Sequence, residues 1–150
     1  MISSRARYAT RAILDLSLRG GETSLIQGIA ERQNIPLKFL QQILVTLKAA
    51  GFVTSRKGPG GGYALARKSE SITLGAVIRA MDGSLAPISC VSVAAHAECG
   101  CPRPDTCALR DKFRDVRDAM AAILDRTSFA ELAEAQRVAD GAPSPLDFVI

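Results

Sequence analysis

Phe52-Val53-Thr54-Ser55-Arg56-Lys57-Gly58-Pro59-Gly60-Gly61-Gly62-Tyr63-Ala64-Leu65-Ala66 sets two short runs of strand-forming residues on either side of a loop built mostly of glycine. β-Branched and aromatic side chains favour a pleated surface, and glycine supplies the backbone freedom that a tight reversal needs. Residues 52–56 and 63–66 therefore predict two strands flanking the loop at 57–62. A glycine-rich loop also raises the possibility of phosphate cradling. A Walker loop, however, needs Gly-Lys-Ser/Thr leading into a helix, and a dinucleotide loop also opens a helix. Here the glycines lead back into a strand, which rejects a nucleotide pocket and leaves a hairpin with Arg56 and Lys57 at its tip.

Upstream of the hairpin the pattern is helical. Pro36 suits the first turn of a helix that buries Leu40, Ile43, Leu44 and Leu47 at i, i+3, i+4 and i+7 and ends at Gly51. Before it, Leu25, Ile26, Ile29 and Ala30 line one side of a shorter helix. Gln33-Asn34 makes the turn between the two, since asparagine tolerates a left-handed backbone. Two short helices joined this closely form a helix-turn-helix candidate. At the N-terminus, Ser3 or Ser4 caps a first helix whose face Tyr8, Ala9, Ala12, Ile13, Leu16 stops at Gly20-Gly21. Helix, helix-turn-helix, hairpin is the winged-helix order.

In a helix-turn-helix the early residues of the second helix face base edges, and Lys38, Gln41 and Gln42 are the polar side chains opposite its apolar face. Glutamine can bond bidentately to adenine, whereas lysine suits guanine or phosphate. In the wing, Arg56 and Lys57 offer phosphate contacts, and the bare tip at Gly60 and Gly61 permits close approach to a nucleic-acid backbone.

Downstream, Thr73 can cap a helix that turns Leu74, Val77, Ile78 and Met81 inward and ends at Gly83. Thr106 can start a long helix in which Leu109, Phe113, Val116, Met120 and Ile123 recur at heptad-like spacing, with Arg110, Asp111, Arg114, Asp115, Arg117 and Asp118 elsewhere around it. A winged domain has little core left for so long a stripe, so a partner subunit is the expected receiver. Ser128 and Glu131 fit a capping box for a last helix carrying Leu132 and Val138. The tail with Pro143 and Pro145 is expected to be disordered.

Between these helices, residues 84–105 repeat with neither a helical nor a strand period, yet this stretch and the two residues after it hold every cysteine of the chain: Cys90, Cys99, Cys101 and Cys107. A long irregular segment in a small protein is usually functional or disordered, and four thiols argue for function. No secretory signal is visible at the basic N-terminus, which points to a reducing cytoplasm where structural disulfides are rare. The thiols then read as metal ligands, as redox-reactive groups or as ordinary packed cysteines. Their spacing lacks the paired knuckles of common structural zinc sites, and soft thiolates equally suit an iron-sulfur cluster.

At 150 residues and 47% apolar composition the chain fits a folded domain plus an oligomerisation element, and no apolar run approaches membrane-spanning length. The net charge of +4 hides an asymmetry: residues 1–80 carry 12 Lys/Arg against 4 Asp/Glu, residues 81–150 carry 7 against 11. A basic front half is the electrostatic footprint of nucleic-acid binding. No dinucleotide fingerprint or nucleophile-base pair marks an enzyme.

Ala6-Arg7-Tyr8-Ala9, residues 32–42, and above all Lys57-Gly58-Pro59-Gly60-Gly61-Gly62-Tyr63 resemble the IscR/NsrR-type family of bacterial winged-helix transcription regulators. The resemblance continues through Leu74-Gly75-Ala76-Val77-Ile78, the cysteine loop and Ala108-Leu109-Arg110. It implies a homodimer bound to double-stranded operator DNA, usually as a repressor. It also implies a [2Fe-2S] or [4Fe-4S] cluster whose state controls DNA binding, held by Cys90, Cys101 and Cys107 at the family's cysteine positions. Cys99 is extra to that pattern and a candidate fourth ligand, with His96, inside the loop, as a second candidate. Arg7 stands where some members place an acidic ligand, a role a guanidinium cannot fill.

The expected architecture is mainly α with a small β-hairpin: a winged helix-turn-helix domain over 1–83, a cysteine-rich sensor loop over 84–107, a dimerisation helix and C-terminal helix over 108–140, and a tail over 141–150. The expected function is a cytoplasmic, cluster-controlled regulator sensing iron, redox state or nitric oxide. The alternative is a cluster-free regulator of the same fold governed by thiols or a partner, and the least favoured reading is an iron-sulfur electron-transfer or metal-binding protein.

Overall fold

A computed structural model describes residues 2–141. Helix α1 (Ser4–Leu18) is the hub on which most of the other helices and one strand pack. Its cap is Ser3, whose hydroxyl accepts the Ala6 N–H at 3.0 Å, and its inner face is built of Ala6, Ala9, Ala12, Ile13 and Leu16. Three alanines on that face let neighbouring helices approach closely from several sides. Helix α2 (Ile26–Gln33) ends at Asn34, which adopts the left-handed conformation at φ +47°. Helix α3 (Leu37–Ala49) follows Pro36 and buries Leu40, Ile43, Leu44 and Leu47.

Strands β1 (Val53–Arg56) and β2 (Gly62–Leu65) pair antiparallel, Val53 opposite Leu65 and Arg56 opposite Gly62. Ser24 and Tyr63 exchange backbone hydrogen bonds of 2.8 Å each way, which pins the hairpin to the entrance of α2. Gly62 makes this join possible: a Cβ there would stand 2.3 Å from the Ser24 carbonyl oxygen. Helix α4 (Leu74–Asp82) is capped by Thr73 and closed by Gly83 at φ +78°. Helices α5 (Ala108–Arg126) and α6 (Phe129–Ala139) complete the described residues, α6 starting with a full Ser128/Glu131 capping box. The fold is thus mainly helical with one two-stranded hairpin, as the periodicities predict.

Several local expectations change. Leu25 is 63% exposed because it sits at the N-cap position, before the α2 face begins. Phe52 ends the α3 turn instead of opening a strand: its N–H donates to the Leu47 carbonyl, and its ring packs beneath the Arg67 guanidinium. Thr106 does not start α5; Cys107 caps it, with Sγ accepting the Arg110 N–H at 3.4 Å. In α6 the core residues are Phe129 and Ala133, whereas Leu132 is half-buried and Val138 is 58% exposed. Beyond Gly141, the tail expected to be disordered lies outside the described residues.

The apolar run of α1 is broken by Asp15, which is nonetheless buried. Arg32 grips it bidentately at 2.9 and 2.7 Å and Gln33 adds a third bond at 3.2 Å. A buried carboxylate needs such partners to offset lost hydration. The hydrogen bond to Asp15 in turn raises the Arg32 pKa above its ordinary value. This junction bolts α1 to the end of α2 and so fixes the helix-turn-helix.

Candidate DNA-reading surface and cysteine centre

Lys38, Gln41 and Gln42 are all exposed on α3, facing away from Leu40, Ile43, Leu44 and Leu47. Beside them Val45 is 66% exposed, and Leu37 and Phe39 add further apolar surface to the exposed side of α3. On one flank Arg5 donates to the Thr46 hydroxyl at 2.5 Å, and Phe39 meets Tyr8 edge-on at 6.2 Å with Arg7 and Arg11 over the Tyr8 ring. Lys48 ties α3 to the hairpin, its Nζ donating to the Ser55 hydroxyl. Arg5 and Lys48 escaped the sequence reading, because a lone basic residue on a helix carries no positional signal.

In the wing, Arg56 and Lys57 are exposed. The two tip glycines differ. Gly60 is open to solvent at φ +71°, and a Cβ there would meet nothing within 4 Å, so its need is conformational. Gly61 is buried, and a Cβ would stand 2.4 Å from the Arg56 carbonyl oxygen and 2.7 Å from that of Gly58. Any side chain at Gly61 would force the turn open.

The cysteine loop begins with a 3-10 turn, Ser89–Val91, seated by buried Cys90, Val91 and Ser92. Arg117 of α5 donates to the Val91 carbonyl at 2.5 Å, and Ser92 holds Ser84 and the Ala95 N–H, each at 2.9 Å. Residues 93–106 are all exposed, including a second 3-10 turn, Pro104–Thr106. Cys90, His96, Cys99 and Cys101 line one pocket of about 290 Å³ together with Asp105 and Arg110. Cys107 stands at its edge as the α5 cap.

All four thiols are free, and they interact in series: Cys90 with Cys99, Cys99 with Cys101, Cys101 with Cys107. Hydrogen bonding to Cys99 pushes the Cys101 thiol up to about 11, and the same bond lowers Cys99. Loss of hydration raises Cys90. Among the described residues no group of three or more His, Cys, Asp or Glu is already arranged to hold a metal ion. Arg110 enters the pocket from the first turn of α5 with its Nε buried and without a hydrogen-bond partner.

Along α5, Leu109, Phe113, Val116 and Ile123 are 71, 36, 46 and 61% exposed and Met120 is half-buried. Its other face carries Ala121 and Leu124, which pack on Ile78 and Leu85. The Arg79 guanidinium also grips Asp125 at 2.5 and 2.8 Å, above Gly75, where a Cβ would collide with that carboxylate. Among the described residues no helix is long and apolar enough to cross a membrane.

These features align with known proteins. Residues 2–135 match the Rrf2 profile, described as an iron-dependent transcriptional regulator. The HTH-type transcriptional regulator IscR of Aliivibrio salmonicida is 37% identical over 143 residues, 93% of this chain and 82% of that protein. Among solved structures, T. potens IscR superposes with a TM-score of 0.75 at 25% identity, covering 99% of this chain and 96% of the other. CymR, the global cysteine regulator of B. subtilis, superposes with a TM-score of 0.74 at 28% identity, covering 89% and 95%. The chain therefore belongs to the Rrf2 family, DNA-binding transcription regulators and not enzymes.

Proposed function

We propose that the chain acts as a homodimeric repressor whose operator affinity is set by an iron-sulfur cluster held in residues 84–107. The observation that carries this reading is the convergence of all four cysteines on the start of α5, three of them lining one pocket and the fourth capping the helix. Soft sulfur donors suit iron-sulfur ligation. The unpartnered Arg110 Nε supplies a buried donor beside them, as an anionic thiolate-ligated group requires. In donor chemistry the residues fit the group, and the exposed backbone of 93–106 gives Cys99 and Cys101 room to close on it. Cys90, Cys101 and Cys107 would hold it, with Cys99 as the fourth ligand and His96 in reserve. When bound, such a cluster supplies one-electron redox chemistry and sensitivity to iron supply, oxygen or nitric oxide.

The chain's own residues do the rest. Lys38, Gln41 and Gln42 meet base edges in the major groove, while Arg56 and Lys57 neutralise phosphates and the bare tip at Gly60, closed by Gly61, lies against the backbone. The exposed α5 seam pairs two subunits, so that two α3 helices address half-sites about 34 Å apart or a multiple of that on a palindromic operator. Arg117 links α5 to the carbonyl next to Cys90, a direct mechanical path from loop to seam.

A second reading, control by the thiols alone, is favoured by the contacts the four thiols make with one another. One experiment separates the two. The full chain purified without oxygen should be coloured and carry iron and sulfide, and Cys107→Ser should lose both while keeping its helical circular dichroism, since a hydroxyl also caps a helix. Colourless, iron-free parent protein would leave the thiol reading standing.

A further inference from the structure

Among the described residues of this pocket, Arg110 carries the one buried side-chain polar atom without a hydrogen-bond partner. Its Nη1 donates to the Pro104 carbonyl at 3.2 Å, and its backbone N–H donates to Cys107 Sγ. Its Nε is buried without an acceptor, although Glu98 and Asp105 also line the pocket. Among the described residues Arg110 makes no ion pair with either. A guanidinium N–H shut away from water with no acceptor is costly, and the cost persists only where something else satisfies it. The same pocket holds the thiols of Cys90, Cys99 and Cys101, and the Arg110 charge acts on Cys90.

We infer that Arg110 is a positioning residue for the cluster site, donating its buried Nε–H to a sulfur of the bound iron-sulfur group and setting its positive charge against the thiolates. This rests on the cluster reading above. The same residue holds Cys107 through its main chain, so one position in the first turn of α5 fastens a ligand sulfur and balances the centre's negative charge. Hydrogen bonds to sulfur and nearby positive charge stabilise the more negative, reduced state and so raise the reduction potential. Lysine keeps the charge but has no Nε donor in a fixed plane, so it should substitute only in part.

The test uses the full chain, loaded anaerobically with ferrous iron and sulfide, as parent, Arg110→Lys, Arg110→Met and Arg110→Gln. Helical circular dichroism checks folding, and Arg110→Gln, neutral and polar, serves if Arg110→Met fails to fold. The neutral variants should show a lower midpoint potential than the parent, with Arg110→Lys between them. Their iron should pass to a chelator on the order of 10- to 100-fold more readily, the usual scale of a lost supporting contact. A parent that binds no iron would overturn the cluster reading and this inference with it. A parent that binds iron while the neutral variants match it in both potential and iron retention would overturn the role of Arg110 alone.

Discussion

Residues 2–83 and residues 84–107 are held in shape in opposite ways. In the winged body the helices turn apolar stripes inward, the main cluster from Ala9 to Val77, closed by Phe129 of α6, is buried almost completely, and the buried Asp15 is met by Arg32 and Gln33. The cysteine loop is seated at its ends, by Leu85 and residues 90–92 on one side and the Cys107 cap on the other, with single bonds from Ala97 to the Ser89 carbonyl and from Arg110 to the Pro104 carbonyl between them. Everything from Val93 to Thr106 is exposed, and what this stretch brings to one pocket is polar and thiol side chains: His96, Glu98, Cys99, Cys101 and Asp105. A region that buries its own apolar surface specifies its structure unaided, whereas one that converges ligands leaves its final geometry to whatever they bind.

Truncation should expose the contrast most strongly. Leu44 of α3 is fully buried in the core of the winged body, so Leu44→Ala should cost about 2–5 kcal/mol in urea unfolding. Val93, 84% exposed, should change stability by no more than about 0.5 kcal/mol when replaced by Ala. Similar costs at the two sites would break the distinction.

At the DNA surface the winged body should act through single side chains. Gln41→Ala should relax preference at one operator position by about 1–3 kcal/mol, measured across a panel of operator variants. Unchanged relative affinities would remove Gln41 from base reading.

The smallest effect concerns the join between body and α5. The Arg79 guanidinium bonded to Asp125 holds that carboxyl below its usual range. The folded state therefore gains from the ionised form, and this gain is present above the unfolded value near 3.9 and lost as pH falls through the lower folded value. Because both side chains are about 40% exposed, the pair contributes only about 0–1 kcal/mol. Asp125→Asn should be less stable than the parent at pH 7, and the difference should close on acidification below pH 4. A difference independent of pH would mean that packing over Gly75, not charge, is what the substitution disturbs.

The winged body was legible in the sequence because its signals are local: Ser3 and Thr73 caps, the Asn34 turn, the i, i+3, i+4, i+7 stripe of α3, and glycines leading into a strand. What escaped depends on distant partners. Asp15 looks like an interruption until Arg32 is folded against it, and no spacing rule pairs them. Phe129 sits at the first position of α6, inside the Ser128/Glu131 capping box, where it reads as part of the cap and not of the buried stripe, and Cys107 caps α5 where the hydroxyl of Thr106 was the more familiar choice. In the loop the sequence names the thiols, but their order of contact and the approach of Arg110 arise only from the fold. A basic residue in a charged helix reads as solvated surface.

The central claim, that a cluster in the loop governs the winged body, is tested most directly by operator affinity. Iron-loaded parent, iron-free parent and Cys107→Ser are titrated onto an operator selected by the protein itself, at one salt concentration. The iron-loaded parent should differ from the other two by about 5- to 150-fold, a coupling of about 1–3 kcal/mol. Equal binding by all three, with iron demonstrably present in the first, would contradict the account.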